Sequence, residues 1–367
     1  MKGSGRQRHH LKSINLALQG GGSHGAFTWG VLDRMFEEDQ LWVEAISGTS
    51  AGAMNAIVAA QGMYDNGAQG AREALEGFWR AVSKAGQASP LKRTPFDMMT
   101  GNWSLDMNPG YIWMDMMSRL ASPYDINPFD YNPLRDVVSE FVDFDKVANE
   151  KDMGIYISAT NVETGRARIF HRQEITLDVV MASACLPTMF KAVEIDGTPY
   201  WDGGFMGNPV LFPFIDHSPS NDILIVQINP LKRPGTPKRA QDIQNRINEI
   251  TFNASLLRDL RAIELIDRLI DEGALSSNEY RRMNLHMIDD GCRDMLAMGA
   301  SSKLNSEWAF LVHLRDIGRK AADNWLKAHF KDIETKSTLD LRDMFDDFGA
   351  PAGENIMKLN GKLGEVV

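Results

Sequence analysis

"INLALQGGGSHGAF" (residues 14–27) sets a short apolar run, then three glycines, then what reads as the start of a helix. A glycine-rich loop between a strand and a helix offers backbone N–H groups and a helix N-terminus to a negative charge. Its spacing satisfies G-x-G-x-x-G, so a dinucleotide pyrophosphate is the first anion to weigh. That reading also needs an acidic residue at the exit of the second strand. Glu44 instead begins "VEAISG" (43–48), and the exit carries "GTSAG" (48–52). A serine between glycines stands where the ribose would bind, which disfavours the nucleotide.

"GTSAG" is a G-x-S-x-G turn between a strand end and the small-residue helix "AGAMNAIVAAQG" (51–62). Gly48 and Gly52 let the chain turn sharply and thrust the Ser50 hydroxyl into a cleft. Alone, the pentapeptide equally suits an N-capping serine. The pairing of two glycine turns sharpens it. Adjacent strands ending at residues 18 and 48 would bring the N–H groups of Gly20, Gly21 and Gly22 beside Ser50 Oγ, where a tetrahedral acyl intermediate needs donors. A serine nucleophile needs a base. Asp202 in "YWDGG" (200–204) follows a hairpin strand, and Gly203 and Gly204 allow a tight turn around it, although Asp-Gly-Gly is often only a surface turn. Among eight histidines, His217, His286, His313 and His329 follow Asp202 in the order of a Ser–Asp–His triad, and none has a distinctive turn. His9 and His10 lie in the N-terminal stretch, and His24 lies within the glycine loop.

The remaining chain fits an α/β protein. "GIYISAT" (154–160), "RARIF" (166–170), the hairpin "KAVEIDGTPYW" (191–201), "DILIVQI" (222–228) and "NLHMID" (284–289) read as strands. Helices are predicted over 25–38, 70–84, 176–184, 239–273, 302–313 and 316–331 by apolar spacing near three and four. The expected architecture is three-layered, a mostly parallel central sheet flanked by helices. A basic N-terminal stretch (1–13) reads as frayed, and 14–235 as the core. Residues 236–348 read as a helical C-terminal portion and 349–367 as a tail. An insertion at 86–133, punctuated by prolines and rich in Met and aromatic residues, suits a lid or acyl-chain groove, with Met114, Met116 and Met117 as its test, and equally suits ordinary packing.

Composition bounds the partners. The 367 residues carry a formal charge of −10, which argues against nucleic acid. Cys185 and Cys292 are the two cysteines, with no zinc-like spacing, so no metal and no disulfide framework is expected. Cys185 reads as a buried small residue. No apolar run reaches the roughly 18–20 residues of a membrane span. The expectation is a cytoplasmic chain, with peripheral membrane contact and a homo-oligomer both open.

"GGGSHG", "GTSAG" and "DGG", in that order, resemble the three blocks of the patatin-like phospholipase family, and "ASACLPTMFKAVEIDGTPYWDGG" (182–204) resembles its approach to the aspartate. The likeness covers about residues 14–230. It implies lipid acyl hydrolase activity through a Ser50–Asp202 dyad without histidine, without cofactor, and with Gly20–Gly22 amides as the oxyanion hole. Gly25, Gly48, Gly52, Gly203 and Gly204 are the motif glycines. The chain departs from the family by carrying His24 where Arg or Lys is frequent. Rival readings are a non-catalytic lipid- or membrane-binding scaffold and a Ser-His-Asp α/β-hydrolase esterase. In the latter, the nucleophile commonly lies about a hundred residues in, not after the second strand.

Overall fold

The chain's structure, a computed structural model, describes residues 11–276, 279–290 and 294–345. His9, His10, Cys292 and the tail 349–367 lie outside the described residues.

Apolar runs give the strands. β1 (Lys12–Leu18) and β2 (Leu41–Gly48) are followed by β3 (Gly154–Asn161), β4 (Ala167–His171), β5 (Val193–Ile195), β6 (Thr198–Asp202), β7 (Asp222–Val226) and β8 (Asn284–Ile288). They form one sheet in the order β5-β6-β3-β2-β1-β7-β8, with β4 paired to β3. The pairs β1–β2, β1–β7, β2–β3 and β7–β8 are parallel, whereas β3–β4, β3–β6 and β5–β6 are antiparallel.

Alternation of side chains across each strand makes two cores. Ile14, Leu16 and Leu18 of β1 and Leu224 and Val226 of β7 enter one cluster, while Ala17, Ile223 and Ile225 enter the other. Burial on both faces is what a parallel sheet requires. The first cluster is covered by α1 (Gly25–Met35), α2 (Ala51–Gly86) and α12 (Trp308–His329), and the second by α9 (Phe212–His217) and α10 (Ala240–Asp271). Helices α3 (Pro95–Thr100), α4 (Pro109–Leu120), α5 (Pro123–Ile126), α6 (Pro133–Phe141), α7 (Phe144–Asn149), α8 (Leu177–Ser183), α11 (Asp294–Ala297) and α13 (Leu341–Phe345) complete the described elements. The expected three-layer α/β architecture is the one observed.

Several boundaries differ from the sequence reading. Lys12 and Ser13 are part of β1, not frayed: Lys12 Nζ donates to Ile333 O at 2.6 Å, and the Ser13 N–H donates to the Glu334 carboxylate at 2.9 Å. The helices expected over 51–62 and 70–84 are two arms of α2 joined across a kink, where Asn66 leaves helical geometry and Gly67 adopts φ +60°. Of the helix expected over 302–313, the first part lies in a 3-10 turn, Ala300–Leu304, and residues 308–313 open α12, which also takes in most of the helix expected over 316–331. Helix α12 lies against α1 at backbone distance, since a Cβ on Gly318 would stand 2.0 Å from Phe27 O.

Strand order reverses at β1: the next strand, β2, lies on one side and β7 on the other. The carboxyl ends of the strands at such a switch leave a crevice, and open α/β sheets place ligands there. Both glycine loops sit at this crevice.

Candidate active site

Gly48 ends β2, and no side chain fits there: a Cβ would lie 2.4 Å from Gly52 O, and one on Gly52 would lie 2.3 Å from Leu18 O. The turn between them is therefore forced tight. Thr49 anchors it from below, donating to Gly207 O at 2.6 Å and lying 2.7 Å from Ser158 Oγ. Ser50 pays for the turn in its own backbone, with φ +54° and ψ −119°. An L-residue held there stores on the order of 1–3 kcal/mol of strain. Its N–H donates to Ser183 Oγ at 2.9 Å, and its carbonyl accepts from Met54 in the first turn of α2.

Asp202 closes β6 opposite Ala159 of β3. Its N–H donates to Cys185 O at 2.8 Å, and its carbonyl accepts from Thr160 Oγ1 at 2.8 Å, so the backbone is fixed on both sides. The side chain is 1% exposed. Burial pushes its carboxyl up to about 7, against the opposing pull of the Gly204 N–H bond, the hydrogen bond of the Ser50 side chain and the Lys303 charge. The Gly204 N–H bond measures 2.7 Å. Gly203 must be glycine because a Cβ would lie 2.2 Å from Ser158 O. Serine and aspartate, 152 positions apart in sequence, thus meet in one site.

The three loop glycines are not equivalent. A Cβ on Gly20 would stand 2.7 Å from Ser50 Cβ, so its absence lets the loop lie against the serine. The Gly20 N–H is already used, donating to Asn208 Oδ1 at 2.6 Å. This removes Gly20 from the donors expected for an oxyanion. The N–H groups of Gly21 and Gly22 have no acceptor among the described residues, and both residues line the cavity with Ser50 and Asp202. Gly22 adopts φ +58°, and its Cβ position is filled by Lys303 O at 2.4 Å. Gly25, the last glycine of the block, brings α1 against α2, where a Cβ would lie 2.7 Å from Ala51 Cβ.

Beneath the loop lies a buried amide network that the sequence did not announce. Gln19 Nε2 donates to Asn208 O at 3.2 Å and Asn253 Oδ1 at 3.0 Å, while its Oε1 accepts the N–H groups of Ile228 and Asn229 at 2.9 Å. Asn229 Nδ2 donates to Gly20 O at 2.8 Å. Isolated Asn and Gln residues carry no signal until the fold gathers them.

Lys303 was missed for the same reason. It projects from the Ala300–Leu304 turn into the cavity, and its ammonium donates to Asn229 Oδ1 at 2.7 Å. Burial brings it down to about 8. His24, by contrast, is buried and pushed down to about 3 by desolvation and by Lys303, so it is neutral. Ser302 Oγ donates its one proton to Gly299 O at 2.7 Å and therefore accepts from His24 Nε2 at 2.7 Å. The basic residue of the glycine block carries no charge; a lysine 279 positions later does.

None of the triad candidates reaches the cavity. His217 stacks on Tyr156, His286 Nε2 lies 2.9 Å from Asp222, His313 stacks on Trp103, and His329 lies 3.0 Å from Asp332. Cys185 is buried, its thiol pushed up to about 12, and donates to Lys191 O at 2.9 Å. Among the described residues, no group of three His, Cys, Asp or Glu side chains gathers as a metal site.

The cavity holds about 450 Å³. Its apolar walls come from Leu186, Met189, Phe205, Phe252, Met295 and Met298. No residue of the 86–133 insertion lines it, Met114, Met116 and Met117 included. The insertion instead adjoins the rim, where Lys191 Nζ donates to Pro128 O at 2.8 Å and the Ala192 N–H donates to the Tyr124 hydroxyl at 3.3 Å. Its surface is apolar, with Phe129 94% and Met99 87% exposed. Among the described residues, no helix is long and apolar enough to cross a membrane.

No curated protein matches the chain. Among solved structures, VipD from Legionella pneumophila is similar at 14% identity, covering 84% of this chain and 67% of VipD, with a TM-score of 0.36. ExoU of Pseudomonas aeruginosa, in its heterodimeric complex with SpcU, is similar at 13% identity and a TM-score of 0.35, covering 88% of this chain. The match spans about half of the matched chain's own length, 52%. A family model described as patatin-like phospholipase matches residues 16–215, more than half the sequence and all three glycine-bearing motifs. The chain belongs to the patatin-like phospholipase family.

Proposed function

We propose that the protein is a serine acyl hydrolase that cleaves fatty-acyl esters of lipids, phospholipids among them, through a Ser50–Asp202 dyad. The observation that carries this reading is that Ser50 and the buried Asp202 carboxyl line one cavity together with two glycines whose N–H groups are unpaired among the described residues. Ser50 Oγ attacks the ester carbonyl carbon while its proton passes to Asp202. The carbonyl π electrons move to oxygen, and the Gly21 and Gly22 N–H groups hold the resulting anion. The tetrahedral carbon then expels the alkoxide, which takes the proton from Asp202 and leaves an acyl-Ser50 ester. Water adds to that ester, gives its proton to Asp202, and the acid departs as the proton returns to Ser50.

A carboxylate near pH 4 is a poor base for an alcohol; one raised to about 7 is better matched to the task. Each oxyanion donor in such sites is worth roughly 2.7–4 kcal/mol of barrier. The apolar cavity walls suit an acyl chain, and the exposed Phe129, next to Pro128 at the rim, suits contact with a lipid aggregate. The 14–235 core carries both reacting groups, and the portion beyond it supplies a wall of the cavity.

A fluorophosphonate probe tests the reading. Labelling of the wild type, lost in Ser50→Ala and strongly reduced in Asp202→Asn, together with release of fatty acid from lipid micelles, is the expected result. Labelling that persists in Ser50→Ala removes the nucleophile. A wild type that neither labels nor releases fatty acid leaves the non-catalytic lipid-binding scaffold in its place.

A further inference from the structure

We propose that Lys303 is the cation that anchors a phospholipid in this cavity, holding the phosphate while Ser50 attacks the neighbouring acyl ester. This rests on the hydrolase reading above and extends it to the substrate's charge.

The ammonium has more donors than partners. It can make three hydrogen bonds, and one is taken, by the neutral Asn229 Oδ1 at 2.7 Å. Lys303 forms no ion pair among the described residues. The nearest structural acid is already spent: Glu249 receives Arg233 Nη2 at 2.6 Å, Arg233 Nε at 3.1 Å and Arg246 Nη1 at 3.1 Å. Two arginines thus already hold that one carboxylate. The other acid lining the cavity is Asp202, which the reaction uses as its base. A partly buried cation kept without a counter-ion is costly unless something negative visits it.

Position says what visits. Lys303 lines the same cavity as Ser50 and Asp202, and its charge is felt at both Asp202 and His24. Its own carbonyl packs on Gly22, so the turn that presents the ammonium also braces the glycine loop. A glycerophospholipid carries its phosphate a few bonds from an acyl ester, so one molecule can offer the carbonyl to the glycine N–H groups and phosphate oxygens to Lys303. A neutral ester would leave the two spare donors unmet.

The test compares phosphatidylcholine in mixed micelles with the uncharged ester p-nitrophenyl butyrate, using full-length wild type, Lys303→Met and Lys303→Arg, with inorganic phosphate as a second probe. Lys303→Met is expected to lower the phosphatidylcholine-to-butyrate ratio of kcat/KM by about tenfold or more, the scale of a lost charged hydrogen bond. Lys303→Arg is expected to restore most of that ratio. Inorganic phosphate is expected to inhibit wild type more strongly than Lys303→Met. An unchanged ratio overturns the proposal, even if inorganic phosphate still discriminates, because the site then takes free phosphate and not the lipid's. An equal loss on both esters with intact thermal unfolding also overturns it, leaving Lys303 as a brace of the loop. So does a wild type that cleaves the butyrate ester but not phosphatidylcholine. Ser50→Ala, run alongside, separates these outcomes: if it retains activity on either ester, the hydrolase reading fails and not the assignment of Lys303.

Discussion

Replacing Asp202 by Asn should make the protein more stable and inactive at once. In the folded chain the carboxyl ionises near 7, whereas in an unfolded chain it ionises near 3.8. An acid with a raised folded pKa keeps its proton in the native state while the unfolded state has released it. Its contribution is therefore neutral below about pH 4, turns unfavourable as pH rises, and reaches its full cost above 7. The separation corresponds to roughly 4 kcal/mol at pH 8 and about 1–2 kcal/mol at pH 5. Asn is nearly the same size, can still accept the Gly204 N–H and never ionises. Part of the gain is offset because its NH₂ group needs acceptors in a site built for oxygens, so a net gain of about 2–3 kcal/mol at pH 8 is expected. Urea unfolding of wild type and Asp202→Asn at pH 4.5, 6 and 8 measures it, since the difference between the two isolates this one group from all other titrations. The gap should widen steadily with pH and level off above 7. Parallel curves, or a variant less stable than wild type at pH 8, would refute the claim that a buried, desolvated carboxylate is the base.

The same ionisation sets the acid limb of activity: kcat/KM on a soluble ester should rise through an apparent pKa near 7, and a limb near 4 would contradict the burial argument. Asn208→Ala strips the acceptor from the Gly20 N–H, so kcat should fall about 10–100-fold with a smaller change in KM, read by steady-state kinetics beside a melting curve. Gly318→Ala drives a Cβ to 2.0 Å from Phe27 O; the α1–α12 contact should lose about 1–3 kcal/mol, visible as a lower Tm, while kcat per folded molecule holds.

Local chemistry made much of the candidate site readable. Gly48, Ser50 and Gly52 lie within five residues, and their spacing states a backbone geometry that few other residues could adopt. Asp202 was legible because two glycines follow it. Strand positions were legible for a related reason, since runs such as "DILIV" are buried on both faces and need no polar alternation. What escaped was everything assembled at long range. Gln19, Asn208, Asn229, Asn253 and Lys303 are scattered over nearly 300 positions, and nothing near any of them says that they converge. The assignment of Gly20 as a donor erred in the same way, because Asn208 takes its N–H from a loop 188 positions away. The insertion's composition suited a lid, a groove or ordinary packing alike, and the fold turns many of its methionines and aromatics outward.

The Gly22–Lys303 contact ties the proposed reactive centre to a distant part of the chain. Ser50 and Asp202 belong to the first two-thirds of the sequence, yet the glycine bend proposed to cradle the anion leans on the Ala300–Leu304 turn. A nascent or partly melted molecule would own a serine and an aspartate but no competent cradle. On the proposed function, such a molecule would leave surrounding lipids untouched until that turn had docked.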